Sequence, residues 1–289
     1  MSKLTVLVTG PTGQQGGALA RVLLQRGHTM RAFVRNPESE KARQLSRLGA
    51  ELVEGNFDDP GSLRRAASGV DAVFAMGTPY QAGPEAETRQ SMAIVDAAKE
   101  AKVRHLLYSS VSDADRSTGI PHFDSKYAVE QYIRSADVPY TVVAPVYFFE
   151  NFLSLFMLPA LKEGRLTMSL PPDRKLQAIA LASIASFDVQ VLEKRDAFLA
   201  RRINIASDEL SLSEYARIIS EVSGREIVYQ RKPLEQVRRF SKDRAAMEGW
   251  FDRVGYSADI EGLRRQFPEV GWKRFKEWAV AQDWSPLKS

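Results

Sequence analysis

A doubly wound α/β fold, with a parallel sheet clothed by helices on both faces and a smaller C-terminal α/β lobe, follows from three observations. Strand-like apolar runs alternate with helical patterns along the first half of the chain. Such alternation builds a parallel sheet, because each parallel strand needs a long crossover and a helix is the usual one. The first strand runs into a glycine cluster that opens at once into a helix. The rhythm then changes after Pro145, where a very apolar and aromatic stretch begins.

The chain has 289 residues, enough for a well-buried core and, by length, for about two domains. The expected division is 1–146 for the sheet domain and 147–289 for a smaller lobe interleaved with that sheet. Apolar content of 44% and charged content of 26% are those of an ordinary globular protein. The net charge of +4, from 40 basic and 36 acidic residues, is spread along the chain and makes no nucleic-acid footprint. The absence of cysteine excludes disulfides, thiolate metal sites and cysteine nucleophiles. His28, His105 and His122 lie without ligand spacing, so no metal site is expected. The start of the sequence lacks the pattern of a signal peptide, and no run of about 18 apolar residues is present to span a membrane. A cytoplasmic protein is the expectation.

Leu4-Thr5-Val6-Leu7-Val8-Thr9 is the first strand, and Gly10, Gly13 and Gly16 follow it. Ala18, Leu19, Val22, Leu23 and Leu24 then carry a helical pattern. Strand, glycine turn and helix together make a phosphate site, because a helix start offers unpaired N–H groups and a positive dipole end. The spacing is GxxGxxG rather than GxGxxG. In that arrangement Gly10 permits the turn, Gly13 leaves the phosphates room, and Gly16 lets helix and strand approach. Thr12, Gln14 and Gln15 complete the loop. Strands are expected at 29–34, 51–54, 71–75, 104–108 and 140–144. Helices are expected at 38–48, 60–68, 86–101 and 123–135. These make six strands of a Rossmann sheet. Beyond Pro145, strands are expected at 176–180, 202–205 and 226–231, and helices at 183–193 and at 211–223, where Gly224 stops the chain. The tail is helical and aromatic, with Trp250, Phe251, Phe275, Trp278 and Trp284.

The end of the second strand points to the cofactor. An acidic residue there would accept from an adenosine ribose hydroxyl. Arg35 stands in its place, in Val34-Arg35-Asn36-Pro37, and a guanidinium suits a 2′-phosphate. The expected cofactor is therefore NADP(H), with Lys41 and Arg43 near enough in sequence to assist. Asn56 and Phe57 follow the third strand and are placed beside the adenine; Met76, Gly77 and Thr78 end the fourth and are placed along the pyrophosphate and ribose.

With these residues in view, the chain resembles the NmrA-like family, an atypical branch of the short-chain dehydrogenases/reductases. The resemblance spans most of the chain. It rests on Gly10-Pro11-Thr12-Gly13-Gln14-Gln15-Gly16, Val34-Arg35-Asn36-Pro37, Pro121-His122-Phe123-Asp124-Ser125-Lys126 and Val146-Tyr147-Phe148-Phe149-Glu150-Asn151-Phe152. It implies either an NADPH-dependent reductase of quinones, azo dyes or similar acceptors, or a non-catalytic nucleotide sensor that binds a regulatory protein. It also implies that Lys126 touches the nicotinamide ribose and that Tyr147 and Phe149 lie near the cofactor. Ordinary members of the wider group carry a tyrosine four residues before the lysine. Here His122 occupies that position. Two readings of it stand side by side, a proton donor facing the substrate or a helix-entry residue that packs. Tyr127, about 100° round the helix from Lys126, does not replace the missing tyrosine.

Hydride transfer to an electron-poor acceptor needs position and a dry pocket more than a dedicated protein acid. Tyr147, Phe148, Phe152, Phe156 and Trp250 are the aromatic faces expected to hold a flat substrate, against the plainer alternative that they pack the lobe. A homodimer and a regulatory protein partner both stay open. An epimerase or dehydratase of the extended type is disfavoured by the missing tyrosine.

Overall fold

The computed structural model describes residues 3–79 and 82–287. In chain order its first elements are β1 (Thr5–Thr9), α1 (Gln14–Gln25), β2 (Thr29–Val34), α2 (Glu40–Arg47), β3 (Glu51–Glu54) and α3 (Pro60–Ala67). Next come β4 (Ala72–Ala75), α4 (Pro84–Glu100), β5 (His105–Ser109), α5 (Pro121–Ser135) and β6 (Tyr140–Pro145). The remainder is β7 (Tyr147–Phe148), α6 (Leu158–Lys162), β8 (Arg165–Met168), β9 (Lys175–Ile179), α7 (Leu181–Glu193), β10 (Arg202–Ile205), β11 (Asp208–Ser211), α8 (Leu212–Ser223), β12 (Val228–Arg231), α9 (Leu234–Phe240), α10 (Lys242–Arg253), α11 (Ile260–Gln266) and α12 (Phe275–Val280).

Two compact units form. The first holds residues 1–115, 122–144 and 184–203; the second holds 116–121, 145–183 and 204–289. Within the stretch 147–289 the chain re-enters the first unit at 184–203. The central sheet has seven strands in the order β10-β6-β5-β4-β1-β2-β3. The seventh is the run 202–205, expected as a strand of the smaller lobe but paired here beside β6. Its short apolar alternation has no feature that names its neighbour.

The order reverses around β1, which pairs in parallel with β2 on one side and β4 on the other. That is the switch point of a doubly wound sheet. Both faces of the sheet are buried. Leu7, Phe33, Val73, Leu106 and Tyr108 join Ala66, Ile94, Val95, Val129 and Ile133 of α3, α4 and α5 in one apolar layer. Their strand neighbours Val6, Val8, Ala32, Phe74 and Leu107 alternate to the opposite face and are equally buried.

In the second unit β11, β9 and β7 form a three-stranded sheet, and β12 pairs with β8. Helix α8 is delimited by its own sequence. Ser211 Oγ accepts from Glu214 N at 3.2 Å, and Glu214 Oε2 accepts from Ser211 N at 2.7 Å. Gly224 then turns left-handed at φ 67° and ends it. Phe152, Tyr215 and Phe275 pack ring against ring with centroids 4.6–5.3 Å apart, and Trp278 joins Phe275 at 5.4 Å. No helix among the described residues is long and apolar enough to cross a membrane.

His105, at the start of β5, tests the packing of the first unit. Thr141 Oγ1 donates to the Phe198 carbonyl at 2.8 Å, so it accepts from His105 Nε2, also at 2.8 Å. Burial, and then the Arg195 charge, lower the imidazole pKa to about 4. The unfolded chain therefore takes up this proton first as the pH falls. Stability from the neutral ring is complete above about pH 6.5 and is lost toward pH 4, by about 3 kcal/mol. Urea midpoints at pH 7 and pH 4.5 should differ less in His105→Gln than in the unmutated protein. Equal pH dependence in the two would refute this account.

Candidate functional site

The site grows from the loop after β1. Gly10 sits at φ +61°, where a side chain is strained. Its carbonyl accepts from Gly13 N at 3.0 Å and closes the turn. A Cβ on Gly16 would stand 2.4 Å from that same carbonyl oxygen, so α1 starts against bare backbone. Gly13 is the N-cap of α1, and no side chain caps the helix. The first turn holds no acidic residue. The opening N–H groups and the positive end of the helix are thus left for an anion.

Neighbouring strands brace this loop. Thr9 Oγ1 accepts from Met76 N at 2.9 Å and donates to the Phe74 carbonyl at 3.1 Å, tying β4 to β1. Gln15 is buried, and its Nε2 donates to Ser109 Oγ at 2.7 Å at the end of β5. Gln15 therefore holds the loop in place; that amide hydrogen bond is made inside the protein. Thr12 is half-buried, and Gly13 and Gln14 are exposed. The Met76 sulfur would lie 3.2 Å from a Cβ on Gly10, so the loops after β1 and β4 touch.

Lys126 reaches the same place from α5. Its Nζ donates to Glu87 Oε1 at 2.7 Å and, more weakly, to the Gly77 carbonyl at 3.4 Å. Ser125 Oγ donates to the other oxygen of Glu87 at 2.7 Å. Glu87 is fully buried, and the Lys126 side chain is 13% exposed. Thr78 is half-buried next to Gly77. The Tyr108 hydroxyl is fully buried beside Ser91 of α4. Burial first, then the charges of Glu87 and Glu130, hold it protonated far above the ordinary phenol range.

At the ends of β2 and β3, Arg35 and Asn56 are exposed. Gly55 N donates to the Val34 carbonyl at 2.9 Å, which keeps the two loops together. The Phe57 ring stacks on Phe33 with centroids 5.6 Å apart. Arg43 is paired with Glu38 at 2.5 Å, and its guanidinium is directed to that carboxylate. His122 is buried, with its ring edge-on to Phe123 at 4.8 Å.

The aromatic residues expected around a substrate divide sharply. Tyr147 and Phe148 are half-buried in the second unit. Phe149 and Phe152 have no exposed surface: Phe149 packs on Phe275 and Trp278, and Phe152 on Tyr215 and Phe275. Trp250 is likewise buried, against Phe251 and Tyr256. Phe156 is 84% exposed and so forms no closed wall. A cleft of about 570 Å³ in the second unit is lined by Arg174, Lys175, Glu209, Asp252 and Tyr256, and includes none of the expected residues.

Sequence reasoning missed Glu87, Tyr108 and Ser109. A signal for Glu87 was present. It stands four residues before Ser91, seven before Ile94 and eleven before Ala98, on the inward stripe of α4. An acid on a buried stripe needs a cation, and Lys126 is the one it meets.

A seven-stranded doubly wound sheet with a glycine-lined helix start at its switch point defines a Rossmann-type α/β protein. The model of the NmrA-like family matches residues 2–279, and the chain belongs to that family. Over 273 residues it is 27% identical to an NmrA-like family domain-containing protein of Dictyostelium discoideum, covering 88% of this chain and 89% of that one. Over 234 residues it is 28% identical to an NAD(P)H azoreductase of Xenophilus azovorans, covering 81% and 79%. The match to the photosystem II assembly factor Ycf39 of Cyanophora paradoxa, at 26% identity, spans 55% of this chain and 50% of that one. Among solved structures, triphenylmethane reductase of a Citrobacter species, complexed with NADP(H), superposes with a TM-score of 0.79 at 23% identity, covering 96% and 98%. NmrA, a negative transcriptional regulator, in complex with NADP, gives a TM-score of 0.80 at 22% identity, covering 99% and 100%.

The glycine loop makes a direct prediction. Gly16→Ala must displace backbone and should lower stability by about 1–3 kcal/mol. Gly13→Ala brings its Cβ only to 3.3 Å from the Gly10 carbonyl, a contact that small shifts relieve. Thermal melts of the two variants should rank Gly13→Ala well above Gly16→Ala. The reverse ranking would show that α1 does not start where described.

Proposed function

We propose that the protein binds NADP(H) at the glycine loop and reduces a small aromatic or conjugated acceptor such as a quinone or an azo compound. The observation that carries this reading is the continuous placement of three groups: the uncapped start of α1, the loop 76–78 touching it, and the Lys126 ammonium on Gly77. These fit a dinucleotide. Backbone N–H groups and the helix dipole receive the pyrophosphate, and Gly13 presents no side chain to it. Lys126 offers a donor to the nicotinamide ribose. Arg35, at the end of β2, offers a guanidinium to a 2′-phosphate. The bound cofactor supplies the hydride. The chain's own residues place it, with His122 as the candidate proton donor to the acceptor. Reductases among the family relatives, including the azoreductase, support this reaction class.

A second reading, a sensor that binds NADP(H) and a regulatory protein without turnover, is favoured by one feature. His122 replaces the tyrosine expected four residues before Lys126, and its ring is buried against Phe123. The regulator NmrA shares the fold. NADPH oxidation measured with a panel of quinones, azo dyes and triphenylmethane dyes separates the two. Turnover above the blank with at least one acceptor is expected. In His122→Ala that rate should fall by up to about 10²-fold with NADPH affinity kept. An unchanged rate would make His122 structural, and a wholly inactive panel would favour the sensor.

Cofactor choice is the separate test of Arg35. NADPH should bind more tightly than NADH, and Arg35→Ala should remove roughly tenfold of the preference or more. Calorimetric titration of both nucleotides against both proteins checks it. Equal affinities in the unmutated protein would refute the assignment.

A further inference from the structure

An ammonium on a flexible stem has three donors and many rotamers, so something must hold it if it is to meet a ribose. Lys126 spends two of its donors inside the protein, on Glu87 Oε1 and on the Gly77 carbonyl. Glu87 stands on α4, yet both of its oxygens are filled from α5, by Lys126 and by Ser125. The carboxylate has no exposed surface. A charge buried to that degree is strongly unfavourable unless it is paired. The loop after β4 lies directly on its stem: a Cβ on Gly77 would come within 2.9 Å of Glu87 Cγ and 2.4 Å of Ser91 Oγ. The carboxylate therefore joins the loop 76–78, α4 and α5 at one point.

We infer that Glu87 is the positioning residue of Lys126: its buried carboxylate, oriented by Ser125, pins the ammonium at Gly77 and leaves the third donor for a ligand hydroxyl. This rests on the reading of Lys126 as the ribose contact. The action is through charge as much as shape. A glutamine at 87 keeps the length and accepts from Ser125, but then turns an NH₂ group toward the ammonium, donor against donor.

A double-mutant cycle tests it, with Glu87→Gln, Lys126→Met and the pair together, each titrated with NADP⁺ by calorimetry and melted without ligand. Glu87→Gln should weaken NADP⁺ binding about tenfold, the scale of a charged hydrogen bond. Lys126→Met should weaken it at least as much, and the double variant should bind no worse than Lys126→Met alone. Glu87→Asp, which keeps the charge, should recover part of the lost affinity. Should Glu87→Gln not fold, Ser125→Ala replaces it in the cycle, with a few-fold loss expected only where Lys126 is present. Additive losses would overturn the inference, because a merely structural role lowers the melting temperature without needing Lys126. An unchanged affinity in Lys126→Met would overturn the ribose assignment itself. A clear loss there with none in Glu87→Gln would overturn only the positioning role.

Discussion

The first unit is organised by one close approach, that of α1 to the end of β1. The Gly10 carbonyl lies where a Cβ on Gly16 would be, so the helix begins against the strand's own backbone. Because the start is this tight, no side chain intervenes between the switch point of the sheet and the first N–H groups of the helix. The bracing is arranged to keep it so: Thr9 draws in β4, and Gln15 draws in β5. A bulkier residue at either glycine would move the anion-ready end of α1 away from the strand ends that carry the other polar groups.

A second constraint acts at the buried carboxylate of Glu87. Burial makes the negative charge dependent on Lys126, and the short pair in turn sets where the ammonium rests. The Tyr108 hydroxyl beneath it stays protonated, since burial and the carboxylate both oppose a phenolate. The polar groups of this region are thus interlocked across α4 and α5. The loop 76–78 is caught in the same network through Gly77, which has no room for a side chain.

The second unit is held by different means. Its aromatic rings pack on one another, and the polar ends among them are satisfied: Tyr215 donates to the Leu176 carbonyl at 3.0 Å, and the Glu150 carboxylate accepts from Trp278 Nε1 at 3.0 Å and Leu181 N at 3.1 Å. Burial raises the Glu150 pKa, with those donors opposing the rise. An aromatic-rich run after the sixth strand is therefore mostly a core, with Tyr147 and Phe148 keeping partial access to the surface.

Strand and helix order in the first half, the turn at Gly10, the limits of α8 and the basic residue at the end of β2 were legible in the amino-acid sequence, because each depends on neighbours a few residues away. Periodicity, capping and glycine φ are local matters. Three things were decided only by the tertiary structure. The run 202–205 took its place beside β6, which local pattern does not specify. Phe149 and Phe152 were drawn into a ring cluster built with Tyr215 and Phe275, some sixty and more than one hundred and twenty residues further on. Glu87 met Lys126, thirty-nine residues away, and became a buried ion pair rather than a surface charge. Burial and pairing belong to the packed chain, and a sequence records the residues that meet without recording the meeting.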